Sequence, residues 1–484
     1  MRNVNLAFAK MKAKFKDTRK VMPLDWFFLC GILTILFVSY IYGDIMYTVR
    51  HGVNVWTTIE EGKFFNYYSF NYDVPSSPLY PLTSPMYDFP IYIVFAVWNF
   101  PLWILERFFS VDIFTSLGCL LYMKAMLLPF LFGSAWVLRK ISKLLGMRQS
   151  QTAWMTFMFL SSGFVLSSIF VMTQYDIIMM FFLLLGLYMY MRNDMKYFLL
   201  FFSIAASFKM FALLVFFPLV LLKHKKFLKI LLYFFVPISF VALVKIPFIF
   251  DQGQKVSANG LIISMVTNNI LPLGLAGVNV YIAAFIGLCI FCYVKTTTSP
   301  SEQNQYSMYI PLLSLALFFL FTPAYPYWFI LLTPFLPTVI FQNRKHFKLN
   351  LVLDTVASCS MILLQQIVYW WCYGITTIQP MLLPKIFGAV ETMKEPISVY
   401  SLFSAIGEQE RNAINPALGA VFFVCLIAIL IINFPRTETV LKGADDSIVI
   451  ERSVIWFRLF AAGGLCFLPI LVYFASMIWF GVTN

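Results

Sequence analysis

Charge is what this chain has least of. Only 12% of its 484 residues are Asp, Glu, Lys or Arg, against 61% hydrophobic and 19% aromatic. Soluble domains carry roughly 25% charged residues, so a water-soluble fold is excluded and a chain that crosses a bilayer many times is expected. Histidines number 3, and none has a second ligand at a metal-binding spacing. No Gly-rich phosphate loop, GxSxG or HExxH occurs, which removes the motif-based nucleotide, serine-hydrolase and zincin readings. The net charge of +13 is not a nucleic-acid signal. The cations are few and stand at the ends of apolar runs, where they orient a membrane protein. The eight cysteines (Cys30, Cys119, Cys289, Cys292, Cys359, Cys372, Cys425 and Cys466) fall within apolar runs. The close pair Cys289 and Cys292 lacks the His or carboxylate company of a metal site, so all eight read as small core residues.

What is present is a series of apolar runs. A membrane crossing needs about 20 apolar residues, and spans are expected near 24–43, 112–137, 152–172, 174–191, 227–249, 276–294, 306–322, 326–341, 349–373, 415–434 and 453–480. The fold class is therefore all-α, a polytopic membrane protein with about eleven crossings. Residues 1–23 read as a basic, amphipathic cytoplasmic arm lying on anionic headgroups, with no cleavage site after them. Two further apolar stretches do not fit simple crossings. If 89–105 crossed the membrane, the basic loop with Arg139, Lys140, Lys143 and Arg148 would land outside, so 89–105 is read as an external interfacial helix anchored by Trp98 and Trp103. Stretch 197–222 has Arg192 and Lys196 before it and Lys223, Lys225, Lys226 and Lys229 after it. Both its ends want the cytoplasm, so it is read as a re-entrant hairpin bent at Lys209, allowed only where protein or water covers the bend. This layout leaves external loops at 44–111 and 374–414, the second with Glu391, Glu395, Glu408 and Glu410. It divides the chain into the arm, a catalytic module over 24–348 and C-terminal helices over 349–484.

Polar groups in or beside a membrane are costly and mark candidate sites. Asp44 ends the first run in "YGDIMYTVRH", followed by Arg50 and His51; alone, it is either a solvated helix end or a group kept for chemistry. "YDFP" brings Tyr87 and Asp88, and the short turn "TQYD" brings Gln174, Tyr175 and Asp176. Asp176 either pairs with a buried cation such as Lys209 or contacts a substrate. "VTNNILP" at 266–272 is a polar patch in an external apolar stretch. "TPAYPYW" contains Tyr325, Tyr327 and Trp328, most simply an aromatic belt at the interface. Within the runs, Lys124, Lys209, Asp354 and the Gln365–Gln366 pair stand out as interruptions of the apolar sequence.

In this order the motifs resemble the membrane glycosyltransferases of the GT-C class. The likeness is to the dolichyl-phosphate-glucose-dependent enzymes of N-glycan precursor assembly and to bacterial polyprenyl-phosphate-sugar transferases. Gly43, Asp44, Arg50 and His51 match the first-loop pattern of the former, Tyr87, Asp88 and Pro90 a following element, and Gln174 and Tyr175 a later one, with Asp176 in place of Asn. "ASFKMFALLVFFPLVLL" resembles the lysine-containing hairpin of the bacterial relatives. The late His-Glu-Lys element of the glucosyltransferases is replaced here by "TPAYPYWFILLTPFLP", closer to the bacterial variants. The likeness covers about residues 40–340.

The resemblance implies a hexose transferred from a polyprenyl- or dolichyl-phosphate sugar to a glycan or lipid-linked oligosaccharide. No metal or other cofactor is expected, and membrane lipids rather than nucleic acid are the expected surroundings. A carboxylate must take the acceptor proton as the anomeric bond forms, through an oxocarbenium-like transition state, and one-step displacement inverts that centre. Asp44 is the expected base and Asp88 its alternate or an acceptor contact. Arg50, His51 and Lys209 are expected to meet phosphate or orient Asp44, and Tyr87, Gln174, Tyr175, Asp176, Tyr325, Tyr327 and Trp328 are the other expected substrate contacts. A bacterial plasma membrane is favoured over the endoplasmic reticulum. The competing classes are a transporter or flippase, which would be expected to show internal repeats that this sequence lacks, an oligosaccharide ligase or polymerase acting on pyrophosphate-linked donors, and a non-catalytic scaffold.

Overall fold

A computed structural model describes residues 20–73, 85–255, 258–268, 270–273, 276–343, 345–368, 398–435 and 452–480. The expected basic arm, apart from its last residues, and most of the 374–414 loop, with Glu391 and Glu395, lie outside those residues. Helix dominates, as 61% hydrophobic content in long runs requires once backbone groups must be satisfied without water. The exception among the described residues is an antiparallel ribbon, Ile270–Leu273 with Ala276–Asn279. Six helices are long and apolar enough to cross a membrane, or eight if each of two bent pairs counts as one. The protein is a multi-pass, all-α membrane protein.

Several expected crossings are interrupted. The first helix, Pro23–Ser39, stops short of residue 43, because Tyr40 and Tyr42 are extended and a separate helix, Gly43–Glu60, starts there. Asp44 thus stands in the first turn of that second helix, where the helix dipole favours a carboxylate. The 326–341 run is a 3₁₀ stretch, Pro326–Leu332, followed by the short helix Phe335–Gln342. The 276–294 run starts in the ribbon and is helical only over Val280–Val294. The 152–172 run bends by 41° between Gln149–Leu160 and Gly163–Val171. Its last turn is a π-helix, Leu166–Val171, a rare geometry found often at functional sites.

The stretch expected to be interfacial is two helices, Phe89–Trp98 and Phe100–Phe109, at 65° to each other. The turn falls at Asn99, ahead of Pro101, which is tolerated in a first helical turn and not in a helix interior. The first packs closely on Gly43–Glu60 at Gly52. A Cβ there would approach to 2.6 Å from Phe95 Cβ, so glycine permits the contact.

A helical hairpin stands where the re-entrant one is expected. Met195–Phe208 and Phe211–Lys223 are joined at extended Lys209, and they run back along one another, with Phe198 stacked on Phe216 at 5.2 Å. At the hairpin's open end Lys223 Nζ donates to Tyr190 O, 2.8 Å.

These pieces share two ends. One collects the 144–149 turn, Lys223–Lys226, residue 295 and Arg452, joined by bonds such as Asn304 to Leu144 O and Lys225 to Cys292 O. The other collects the Gly43–Glu60 helix, the 173–176 turn, Lys209 and the 322–328 turn. Between the ends, residues 154–180 are buried without a break. The outward helix Phe227–Leu243 leaves Phe227, Leu228 and Phe235 exposed, surface that suits acyl chains and not water.

Candidate functional site

Four chain segments meet at the second end. Thr173 adopts a positive φ of 52°, rare for a residue with a Cβ, and so turns the chain sharply between the π-helix and the Asp176–Met191 helix. This turn presents Gln174, Tyr175 and Asp176 inward, all buried. Tyr42 N–H donates to Thr173 Oγ1 at 3.1 Å, which ties the turn to the strand-like link before Asp44. Gln174 Nε2 then donates to Asp44 Oδ2 at 3.3 Å. Asp44 itself is half-buried. Burial pushes its carboxyl above the ordinary carboxylate range, while nearby Lys209, Gln174 and the Tyr175 hydroxyl draw it back and Asp176 adds to the rise.

Lys209 and Asp176 form a buried ion pair, so the expectation that Asp176 meets a buried cation is met by the residue named. The ammonium also lies 5.3 Å from the Tyr87 ring, 5.6 Å from Tyr175 and 5.7 Å from Trp328, a cation held among aromatic faces. Tyr87 and Tyr175 meet edge to face at 5.3 Å. Tyr327 lies within electrostatic reach of Asp44, Tyr87 and Asp176, and its ring stacks on Tyr325 at 5.4 Å. Thus Asp44, Tyr87, Gln174, Tyr175, Asp176, Lys209, Tyr325, Tyr327 and Trp328 are brought together, although the motifs that supply them span some 280 residues of sequence.

Three expected residues point elsewhere. Arg50 is on a different helix face from Asp44 and makes a two-pronged pair with Glu106, 2.7 and 2.8 Å, beneath the Phe114 ring. His51 is on the Asp44 face but two turns on, about 10 Å along the axis. It is buried against Tyr92 and bonded through Nδ1 to Asn71 Oδ1 at 2.9 Å. Asp88 stands at the N-cap position of the Phe89–Trp98 helix, and its carboxylate pairs with Lys245 at 3.2 Å instead of capping it. All three tie neighbouring segments together, and none is among the groups that weigh most on the Asp44 carboxyl.

Two residues at the site were not foreseen from sequence. Thr48, one turn after Asp44, donates to the Tyr175 hydroxyl at 3.2 Å; its spacing of four on an amphipathic helix was the available sign. Tyr47 is the other: burial pushes its phenol upward, and nearby Asp44 adds to the rise. Among the described residues no group of three or more His, Cys, Asp or Glu converges for a metal. Cys289 and Cys292, spaced C-x-x-C on Val280–Val294, are free thiols. The cluster therefore offers a half-buried carboxylate, a nearby cation and aromatic walls, which suits proton abstraction beside an anionic group. Comparison with family models, with curated proteins and with solved structures finds no match to this chain.

Proposed function

We propose that the chain is a glycosyltransferase resembling the GT-C class. It would transfer a hexose from a polyprenyl- or dolichyl-phosphate sugar to a glycan or lipid-linked oligosaccharide, with inversion. The observation that carries this reading is Asp44: a half-buried carboxyl with a raised proton affinity, bonded to Gln174 and set beside the Lys209–Asp176 pair. Asp44 takes the acceptor hydroxyl proton as that oxygen bonds to the anomeric carbon. The carbon–oxygen bond to phosphate breaks in the same step, and Lys209 offsets the charge gathering on the leaving polyprenyl phosphate. The rings of Tyr87, Tyr325, Tyr327 and Trp328 wall the sugar.

In this reading the chain makes eleven crossings with its N-terminus in the cytoplasm. The basic end, with Arg139, Lys140, Lys143, Arg148 and Lys223, faces the cytoplasm, and the site opens on the opposite face of a bacterial plasma membrane. The interruptions at Pro326–Leu332 and at the hairpin are the features that favour the competing transporter reading, since broken helices build such sites.

One experiment separates the readings. The purified, reconstituted chain is given labelled polyprenyl-phosphate glucose, mannose or galactose with extracted lipid-linked glycans. Transfer that disappears in a folded Asp44→Asn variant is the expected result. Unchanged transfer in that variant overturns the base assignment, transfer only from pyrophosphate-linked glycans favours a ligase, and flux across the vesicle without product favours a transporter.

A further inference from the structure

We infer that Lys124 is a positioning residue, whose ammonium fixes the spacing between the two backbone segments that carry Asp44 and Gln174. The inference rests on the reading of Asp44 as the base. Lys124 lies within the apolar Leu117–Leu144 stretch and is 1% exposed. Its Nζ donates to Leu36 O at 3.3 Å, Phe37 O at 2.9 Å, Tyr40 O at 2.5 Å and Phe170 O at 2.5 Å. The first three carbonyls close the Pro23–Ser39 helix, where carbonyls run out of intrahelical donors and the dipole is negative. The fourth belongs to the π-helix before the 173–176 turn. Among the described residues no carboxylate lies within ion-pair distance of Lys124.

A cage of carbonyls offers acceptors only, and an ammonium has three donors and no acceptor. The match is therefore to the charged side chain, held as a carbonyl ring holds a monovalent cation. An apolar residue would cost far less at this depth, so packing alone does not ask for lysine.

The position of the cage carries the inference. Tyr40 precedes Asp44 by four residues, and Phe170 precedes Gln174 by four. Between them Tyr42 N–H reaches Thr173 Oγ1. Lys124, Tyr42–Thr173 and Gln174–Asp44 are thus three successive rungs between the same two segments, and only the first is a charge bound to both.

Full-length wild type, Lys124→Met and Lys124→Ala are compared by thermal unfolding and by transfer from labelled polyprenyl-phosphate sugar. Ethylammonium is the probe, and tetramethylammonium, which has no N–H, is its control. Lys124→Met, similar in length and uncharged, is expected to lose about 10²-fold in kcat, the scale of a misplaced reacting group, with donor KM near the wild-type value. In Lys124→Ala, ethylammonium alone is expected to raise the melting temperature saturably and to restore turnover. It should do neither in Lys124→Met, whose side chain fills the space. Wild-type kcat in Lys124→Met, or a Lys124→Ala protein whose melting and turnover both ignore ethylammonium, would overturn the inference. So would failure of both variants to fold, which leaves a purely structural clamp. A wild type that transfers no sugar refutes the reaction assigned to Asp44, while the melting measurement still reads the cage.

Discussion

Lys209 and Asp176 meet across two separate turns, the tip of the hairpin and the short link after the π-helix, and pair there out of water. Removing one partner strands the other charge, which typically costs about 3–5 kcal/mol for a buried pair. Lys209→Met should therefore lower the melting temperature sharply and abolish transfer. Adding Asp176→Asn should return most of the stability, because no charge is then stranded, yet transfer should stay lost if Lys209 serves the leaving phosphate. Thermal unfolding in detergent and the transfer assay on the single and double variants check this. Transfer that returns with stability would reduce Lys209 to a structural role.

The pH dependence of turnover follows from the state of Asp44. A base must be unprotonated, and burial raises this carboxyl above the ordinary range. The acid limb of kcat/KM should therefore lie at a higher pH than for an exposed aspartate, with the rate rising as pH rises through it. Gln174 donates to the charged form and draws the value down. Gln174→Leu should consequently move the limb to still higher pH, measured from kcat/KM profiles of the two proteins. A limb that stays put, or moves downward, would remove Asp44 as its source.

Arg50 is adjacent in sequence to candidate residues, yet its guanidinium is committed to Glu106. If it acts through that pair, Arg50→Gln and Glu106→Gln should reduce stability by similar amounts, about 1 kcal/mol for a partly exposed pair with good geometry. The double variant should then be little worse than either single one, as expected for partners in one interaction. Denaturant or thermal unfolding of the four-protein cycle measures the coupling. A transfer defect in Arg50→Gln far larger than in Glu106→Gln would instead indicate a direct substrate contact.

What could be read from the sequence depended on how local its cause was. The hairpin at Lys209 was legible because cations flank both ends of an apolar run too short for two crossings, a rule that needs no tertiary knowledge. The meeting of Asp44, Gln174, Lys209 and Tyr87 was legible as a shared membrane face but not as contacts, since ordering by topology fixes depth and not azimuth. Arg50, His51 and Asp88 show the limit. Their motif positions place them in the first loop, but the partners that turn them aside (Glu106, Asn71 and Lys245) lie on other segments. Glu106 did leave a trace, as the lone acid in the 89–105 apolar stretch and its continuation. The break at Pro326–Leu332 left one too, in Pro326, Pro334 and Pro337, which an unbroken helix does not accommodate, whereas the early end of Pro23–Ser39 left none of that kind, since no proline falls within residues 24–43.

Away from the site, Arg458 and Asp354 form a second buried pair, 2.7 Å from Nη2 to Oδ2 and 2.8 Å from Nε to the same oxygen. Arg458 Nη1 also reaches Met158 O at 3.0 Å and Ser161 Oγ at 2.9 Å, so one guanidinium joins the Gln149–Leu160, Phe347–Val368 and Arg452–Phe480 helices. Desolvation of the two charges offsets much of their attraction, so the pair is worth less than the damage done by halving it. Asp354→Leu should cost about 3–5 kcal/mol, while Asp354→Leu with Arg458→Met, two apolar side chains of similar bulk, should recover at least half of that loss. Because the pair makes no contact with the Asp44 cluster, the double variant should keep its transfer activity once folded. Thermal unfolding and transfer by the two variants decide it: a double variant no more stable than the single one would mean that the bonds to Met158 and Ser161, rather than the ion pair, hold the three helices together.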